Sequence, residues 1–276
     1  MKYCVDYDKR FNYLDEIDEI RINYMKQKAE ALQYIQEHPQ QCIILVIDNY
    51  QEALDNKDLE KLSSIAQEHP ELNFKVEFMN IIDNIQDYNF NFKYFFNIYV
   101  DNWDTLIGLI NLGVSDVYII NELGFELNKI AEITHKNNIK IRCFANIAQS
   151  SWKKSDPIKK FFIRPEDIQV YERYIDIIYF IGKIEKINIY YKIYKYDKKW
   201  YGNLNEIIAE LDEEDEYDFD SRYIIPRFAE TRIKCGKKCL KDGKCQICER
   251  VMQLANSLKK ANLIVTYNEN NEKEEK

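Results

Sequence analysis

The sequence is poor in the residues that build the commonest catalytic and nucleotide-binding motifs. Of 276 residues, seven are glycine and three are histidine. No GxGxxG or GxxxxGK run occurs, so the usual glycine-rich loops that cradle a phosphate at a helix N-terminus are missing. His38, His69 and His135 all fall at the ends of predicted helices, where the helix dipole favours them, and no serine–histidine or cysteine–histidine mechanism is supported. Long apolar runs are lacking as well: residues 42–47 and 94–100 fall far short of the ~18–20 needed to cross a bilayer. The first residues contain no apolar signal core and carry an acid at Asp6, so the expectation is a cytoplasmic protein without a membrane association. Basic residues are in deficit. A net charge of −8 argues against broad non-specific binding to nucleic acid, whereas acidic and aromatic surfaces suit a protein partner.

What the chain does have is material for a core. Hydrophobic residues make up 46% and charged residues 31%, which describes a globular α/β protein rather than a disordered polymer. Much of its length repeats one unit, a β-rich apolar run of about seven residues, a polar corner and a segment of helical period. The predicted strands cover residues 18–24, 42–48, 73–79, 93–100, 116–121, 140–147, 161–163 and 176–181. Asn102 or Asp104 is suited to cap a helix that ends before Gly113, a second helix runs from Glu126 to His135, and Pro165-Glu166-Asp167 reads as a helix start. Eight such units close into a TIM-like (β/α)8 barrel, whereas six would form an open doubly wound sheet; the spacing favours the barrel, somewhat irregular near residue 161. The expected organisation is a barrel-like core over 1–182, a helical extension over 183–267 and a disordered polar tail over 268–276.

In such a barrel, reactive groups stand at the carboxyl ends of the strands. Polar residues follow the apolar runs at Asp48, Asn49, Asn80, Asp101, Asn121, Glu122, Asn146, Gln149, Arg164 and Glu166. Each can simply cap the helix that follows it. As candidate catalytic residues we single out Asn121, Glu122, Asn146, Arg164 and Glu166, because they converge on one mouth from several different units.

Seven cysteines, four of them within fourteen residues, fit metal ligation in a reducing compartment better than a disulfide framework. Cys235, Cys239, Cys245 and Cys248 read Cys-x3-Cys-x5-Cys-x2-Cys, and four such thiolates can wrap one cation. Gly236 and Gly243 give the backbone freedom for tight wrapping, and nearby lysines such as Lys237, Lys238 and Lys244 offset the charge. A tetrahedral zinc ion and a 4Fe–4S cluster both suit four sulfurs at this spacing, so the cofactor is Zn2+ or, alternatively, iron–sulfur. Cys42 and Cys143 lie in apolar runs and read as core.

The segment Phe162-Ile163-Arg164-Pro165-Glu166-Asp167-Ile168, with Tyr171, Asp176 and Gly182 behind it, is followed by Lys199-Trp200-Tyr201-Gly202-Asn203-Leu204 and then by the cysteines. This order resembles the peptidase U32 family, most closely over residues 140–250. The resemblance implies a barrel-like fold in a family that includes collagenase-type peptidases and proteins needed for hydroxylation of RNA or of quinone precursors, several with iron–sulfur clusters. Where relatives place further cysteines, this chain has Ala148-Gln149-Ser150-Ser151, and Lys183 stands where arginine is usual. Two readings follow: a U32-like enzyme acting on RNA, a small molecule or a peptide, or a non-catalytic barrel scaffold with a structural zinc.

Metal content and the ultraviolet–visible spectrum of protein purified without oxygen separate these. Iron, sulfide and a brown colour are expected of a redox protein; one equivalent of zinc in a colourless sample removes the iron–sulfur reading. Loss of soluble protein in Cys245→Ser is expected of a structural metal.

Overall fold

The computed structural model describes residues 1–83, 85–119, 126–145, 163–202, 206, 220–225, 228–233 and 247–261. The strands are β1 (Lys2–Asp6), β2 (Glu19–Asn23), β3 (Cys42–Ile47), β4 (Phe74–Phe78), β5 (Lys93–Phe96), β6 (Tyr99–Val100), β7 (Asp116–Ile119), β8 (Lys140–Phe144) and β9 (Ile177–Tyr179). All pair in parallel, in the order β5-β4-β3-β2-β1-β9-β8-β7-β6, as a curled, barrel-like sheet. The helices are α1 (Lys28–Glu37), α2 (Tyr50–Asp55), α3 (Asp58–Glu68), α4 (Trp103–Asn111), α5 (Leu127–Lys136), α6 (Ile168–Tyr171), α7 (Ile184–Lys192), α8 (Phe228–Ile233) and α9 (Ile247–Lys260).

Parallel strands covered on both faces read as near-continuous apolar runs, which is why the strand signal is strong in β3, buried at all six positions of Cys-Ile-Ile-Leu-Val-Ile. The predicted run 93–100 is interrupted at Asn97 and Ile98, so that β5 pairs with β4 while β6 pairs with β7. The Ser115 amide, just before β7, donates to the Tyr94 carbonyl of β5 at 2.8 Å and draws the two ends of the sheet together. Of the run 161–163, only Ile163 is described. It is not in a strand, although its amide reaches the Ala145 carbonyl at 3.5 Å. The central strand β1 has no counterpart among the predicted runs, because charged Lys2 and Asp6 bracket its short buried segment Tyr3-Cys4-Val5.

Helix ends follow local chemistry. Asn49 and Asn102 cap α2 and α4, each side-chain oxygen accepting a backbone N–H three residues on, and Gly113 leaves α4 at φ 73°. Helix α7 lies within the helical extension expected over 183–267. Its Tyr191 packs edge-on to Tyr3 and Phe11, with ring centroids 5.7 and 5.5 Å apart, so this part of the extension belongs to the main core. Among the described residues, no helix is long and apolar enough to cross a membrane.

The inner face of the sheet is polar at its amino-terminal end. Glu19 of β2, Lys75 of β4, Asp116 of β7 and Arg142 of β8 are all buried there. Lys75 Nζ donates to both Asp116 carboxylate oxygens at 2.8 and 2.9 Å, and Arg142 Nε donates to Asp116 at 3.1 Å. The Arg142 guanidinium also makes a short bond to Glu19 and lies 4.7 Å from the Phe95 ring centroid. Two cations thus meet two carboxylates with no net charge, which is what makes their burial tolerable. Burial pushes the Asp116 carboxyl up, but Arg142 and Lys75 outweigh it and hold the group down at about 2. Burial raises the thiols of Cys4, Cys42 and Cys143, which behave as apolar core groups.

Arg142→Met leaves Glu19 and Asp116 without their shared cation and is expected to cost about 3–5 kcal/mol in urea unfolding; a loss below about 1 kcal/mol would contradict the tetrad's role. Because Asp116 is more acidic folded than unfolded, its contribution is complete above about pH 5 and is lost as pH falls through about 2. Acid unfolding of the wild type should show this loss.

Candidate functional site

A second charged network lies toward the carboxyl ends of the strands. Along β2, residues 19, 21 and 23 project to one face; along β4, residues 75 and 77 do the same, so the period of two lifts Arg21 and Glu77 one layer above Glu19 and Lys75. Arg21 grips the Glu77 carboxylate with two bonds, Nε to Oε2 at 2.7 Å and Nη2 to Oε1 at 3.0 Å. Asn97, at the break between β5 and β6, donates to the same carboxylate at 2.6 Å, and the Tyr118 hydroxyl lies 3.4 Å from it. Glu77 is wholly buried and is saturated by these donors.

The remaining guanidinium edge faces the opening. Arg21 Nη1 donates to Asp6 Oδ1 at 2.5 Å and makes a short bond to the Tyr179 hydroxyl, which donates to Asp6 Oδ2 at 2.8 Å. The Asp6 side chain is 58% exposed, whereas those of Arg21 and Glu77 are at 9% and 0%. Asp6 is therefore the arm of the network that reaches solvent. Burial works against the charge of Arg21, but Glu77 beside it prevails and the guanidinium stays charged. Burial pushes the Tyr179 and Tyr118 hydroxyls well above their ordinary range, so both keep their protons and act as hydrogen-bond donors.

An aromatic wall lines this end of the sheet. The Phe144 ring stacks on Tyr118 with centroids 5.5 Å apart, and Tyr99 and Tyr179 approach it at 5.5 and 5.2 Å. At the rim, Asn23 donates to Asp48 at 2.9 Å beside a cavity of about 280 Å3 bounded by the ends of β3 and β4 and including Tyr50, Met79 and Asn80.

Of the residues singled out from sequence, Asn121, Glu122 and Asn146 lie outside the described residues. Arg164 and Glu166 are placed at a junction. Arg164 is buried and binds Asp167 through Nε and Nη2 at 2.6 and 2.7 Å. Glu166 Oε1 accepts the Trp200 amide and the Ser221 hydroxyl, each at 2.9 Å, and the Tyr194 hydroxyl donates to the Ile163 carbonyl at 2.5 Å. The two motif segments around Arg164 and Trp200 are thus bonded to one another. Cys235, Cys239 and Cys245 lie outside the described residues, as does the side chain of Cys248 in α9. Among the described residues, no group of three His, Cys, Asp or Glu is placed to hold a metal ion. The histidines stand at helix C-termini: His38 stacks on Tyr34 with ring centroids 4.0 Å apart, His69 lies beside Glu71, and His135 binds Asp176.

Asp6, Arg21, Glu77, Asn97 and Tyr179 are not among the sequence candidates. The readable signal is charge at alternate positions inside apolar strands, Glu-Ile-Arg-Ile-Asn and Phe-Lys-Val-Glu-Phe, which marks a polar inner face rather than a strand end. No protein-family model matches the chain, and no curated protein matches it.

Glu77→Gln removes the charge that holds a buried guanidinium and is expected to cost about 3 kcal/mol or more in urea unfolding. Asp6→Asn, at the exposed end, is expected to cost less than about 1 kcal/mol. Equal costs would show that the network is uniformly structural, with no separate solvent-facing arm.

Proposed function

We propose that the chain is a ligand-binding barrel of the U32-like kind, with β5 and β6 acting as one bent strand of a (β/α)8 barrel and the opening beside Asp6 as its binding face. The observation that carries this reading is the contrast between two stacked charge networks. The lower one has all four side chains buried, whereas the upper one ends in an exposed carboxylate, at the end of the strands where barrels of this type hold their ligands. In favour of the U32-like kinship stands the bond between Glu166 and Trp200, which joins the two segments that carry the resemblance.

The chemistry of the opening defines the ligand class. Asp6 and, at the rim, Asp48 present exposed carboxylates beside an aromatic wall, while the Arg21 guanidinium is already gripped by the buried Glu77. Such a surface receives an amine or another cationic, hydrogen-donating group, with Asp6 accepting from it and the rings contacting its apolar part. Tyr179 holds Asp6 in place. A peptide amino terminus and a small amine both meet these demands, and Asn121, Glu122 and Asn146 remain the proposed reactive groups of the sequence reading. Arg164 and Glu166 stand beside them in the sequence reading, and their bonds to Asp167, Trp200 and Ser221 support a positioning role. The second reading, a non-catalytic scaffold with a structural zinc held by Cys235, Cys239, Cys245 and Cys248, draws support from the position of all three histidines at helix ends.

A thermal-shift screen of amines, amino-acid amides and nucleosides, each beside its N-acetylated or neutral counterpart, tests the binding face. Stabilisation is expected only from cationic members and is expected to vanish in Asp6→Asn. Hits that survive Asp6→Asn, hits confined to neutral or anionic compounds, or no hit at all would overturn the assignment.

A further inference from the structure

The opposite end of the sheet, where the strands begin, carries a feature that the charge of the chain does not anticipate. A cavity of about 480 Å3 opens there, and its wall includes Lys2 of β1, Lys75 of β4, Lys93 of β5 and Lys140 of β8. Two carboxylates, Glu19 and Glu71, share the wall. Four ammonium groups against two carboxylates make this a local positive patch on a protein of net charge −8.

The lysines do not all have the same task. Lys75 is buried and committed to Asp116, so it belongs to the buried tetrad. Lys93 is its register partner on the neighbouring strand, which sets two like charges on strands about 4.8 Å apart. Lys140 is the register partner of Asp116, whose carboxylate is already taken by Lys75 and Arg142. Among the described residues, the ammonium groups of Lys2, Lys93 and Lys140 make neither a hydrogen bond nor an ion pair, whereas Glu71 is met by His69. Lys2 and Lys93 are exposed and Lys140 is half-buried, so all three can reach a solute in the cavity. Side by side on a shared wall, unpaired cations repel one another, and an anion placed among them relieves that repulsion. Several donors around one concavity suit the tetrahedral, multiply charged oxygens of phosphate better than a single carboxylate.

We propose that this cavity is a binding site for a phosphate chain, with Lys2, Lys93 and Lys140 as its cationic contacts. The site lies at the far end of the strands from Asp6 and does not depend on the function proposed for that opening. The ligand is either free polyphosphate or the phosphate end of a nucleotide.

The test is calorimetric titration of the full chain at low ionic strength with sodium tripolyphosphate and, separately, with ATP. The wild type is expected to bind both saturably at one site. Lys93→Gln/Lys140→Gln is expected to bind at least ~10-fold more weakly, with an unchanged far-ultraviolet circular dichroism spectrum. Lys183→Gln/Lys186→Gln removes the same charge at the start of α7 and is expected to bind as the wild type does. Equal affinity for the two probes assigns the site to the phosphate chain alone, and tighter binding of ATP assigns it to a nucleotide. Absence of saturable binding by the wild type, or the same loss in both double variants, would mean a solvated lysine surface only and would overturn the proposal. Should Lys93→Gln/Lys140→Gln not fold, Lys2→Gln decides: affinity equal to that of the wild type overturns the proposal, and weaker binding upholds it.

Discussion

The burial of Glu19, Lys75, Asp116 and Arg142 inside the curled sheet is the constraint from which the rest of the structure follows. Four buried charges are tolerated only when each cation meets a carboxylate, and these residues come from β2, β4, β7 and β8. A strand displaced by one residue would turn its charge outward into the apolar layer beneath the helices and leave its partner unpaired. The tetrad therefore acts as a register lock for strands far apart in sequence, at the amino-terminal end of the sheet.

Above this lock the same alternation produces a second layer with a different purpose. Arg21 and Glu77 stand two residues on from Glu19 and Lys75, and their mutual grip fixes the guanidinium so that its free edge meets Asp6 and Tyr179. Exposure rises from the fully buried Glu77 to the half-exposed Asp6 over one guanidinium. A rigid base and a solvated tip are what a binding group needs: the base sets the geometry, and the tip remains available.

Much of the architecture is legible in the order of the residues. Short apolar runs such as Cys42–Ile47 and sharp helix signals such as Asn102 and Gly113 depend on neighbours in sequence, and they fall where expected. The first strand is not legible in this way, because its signal is only three apolar residues between two charges. Strand ends are where a barrel pattern points to site residues, whereas Arg21 and Glu77 lie within strands; at such positions sequence alone does not say which face is enclosed. Arg164 and Glu166 are recognisable as a motif, but Trp200 and Ser221, the partners of Glu166, are 34 and 55 residues away, too distant for any local pattern to pair.

The alternation of strand and helix, the helix caps, the charge balance and the spacing of the four clustered cysteines are all written in the order of residues, because each rests on the chemistry of groups close together in the chain. Which charges share the interior is settled by how distant strands come together. Parallel strands order themselves through crossovers rather than adjacent turns, so the meeting of Lys75 with Asp116, of Arg142 with Glu19, and of Arg21 with Glu77 and Asp6 became visible only once the sheet had curled.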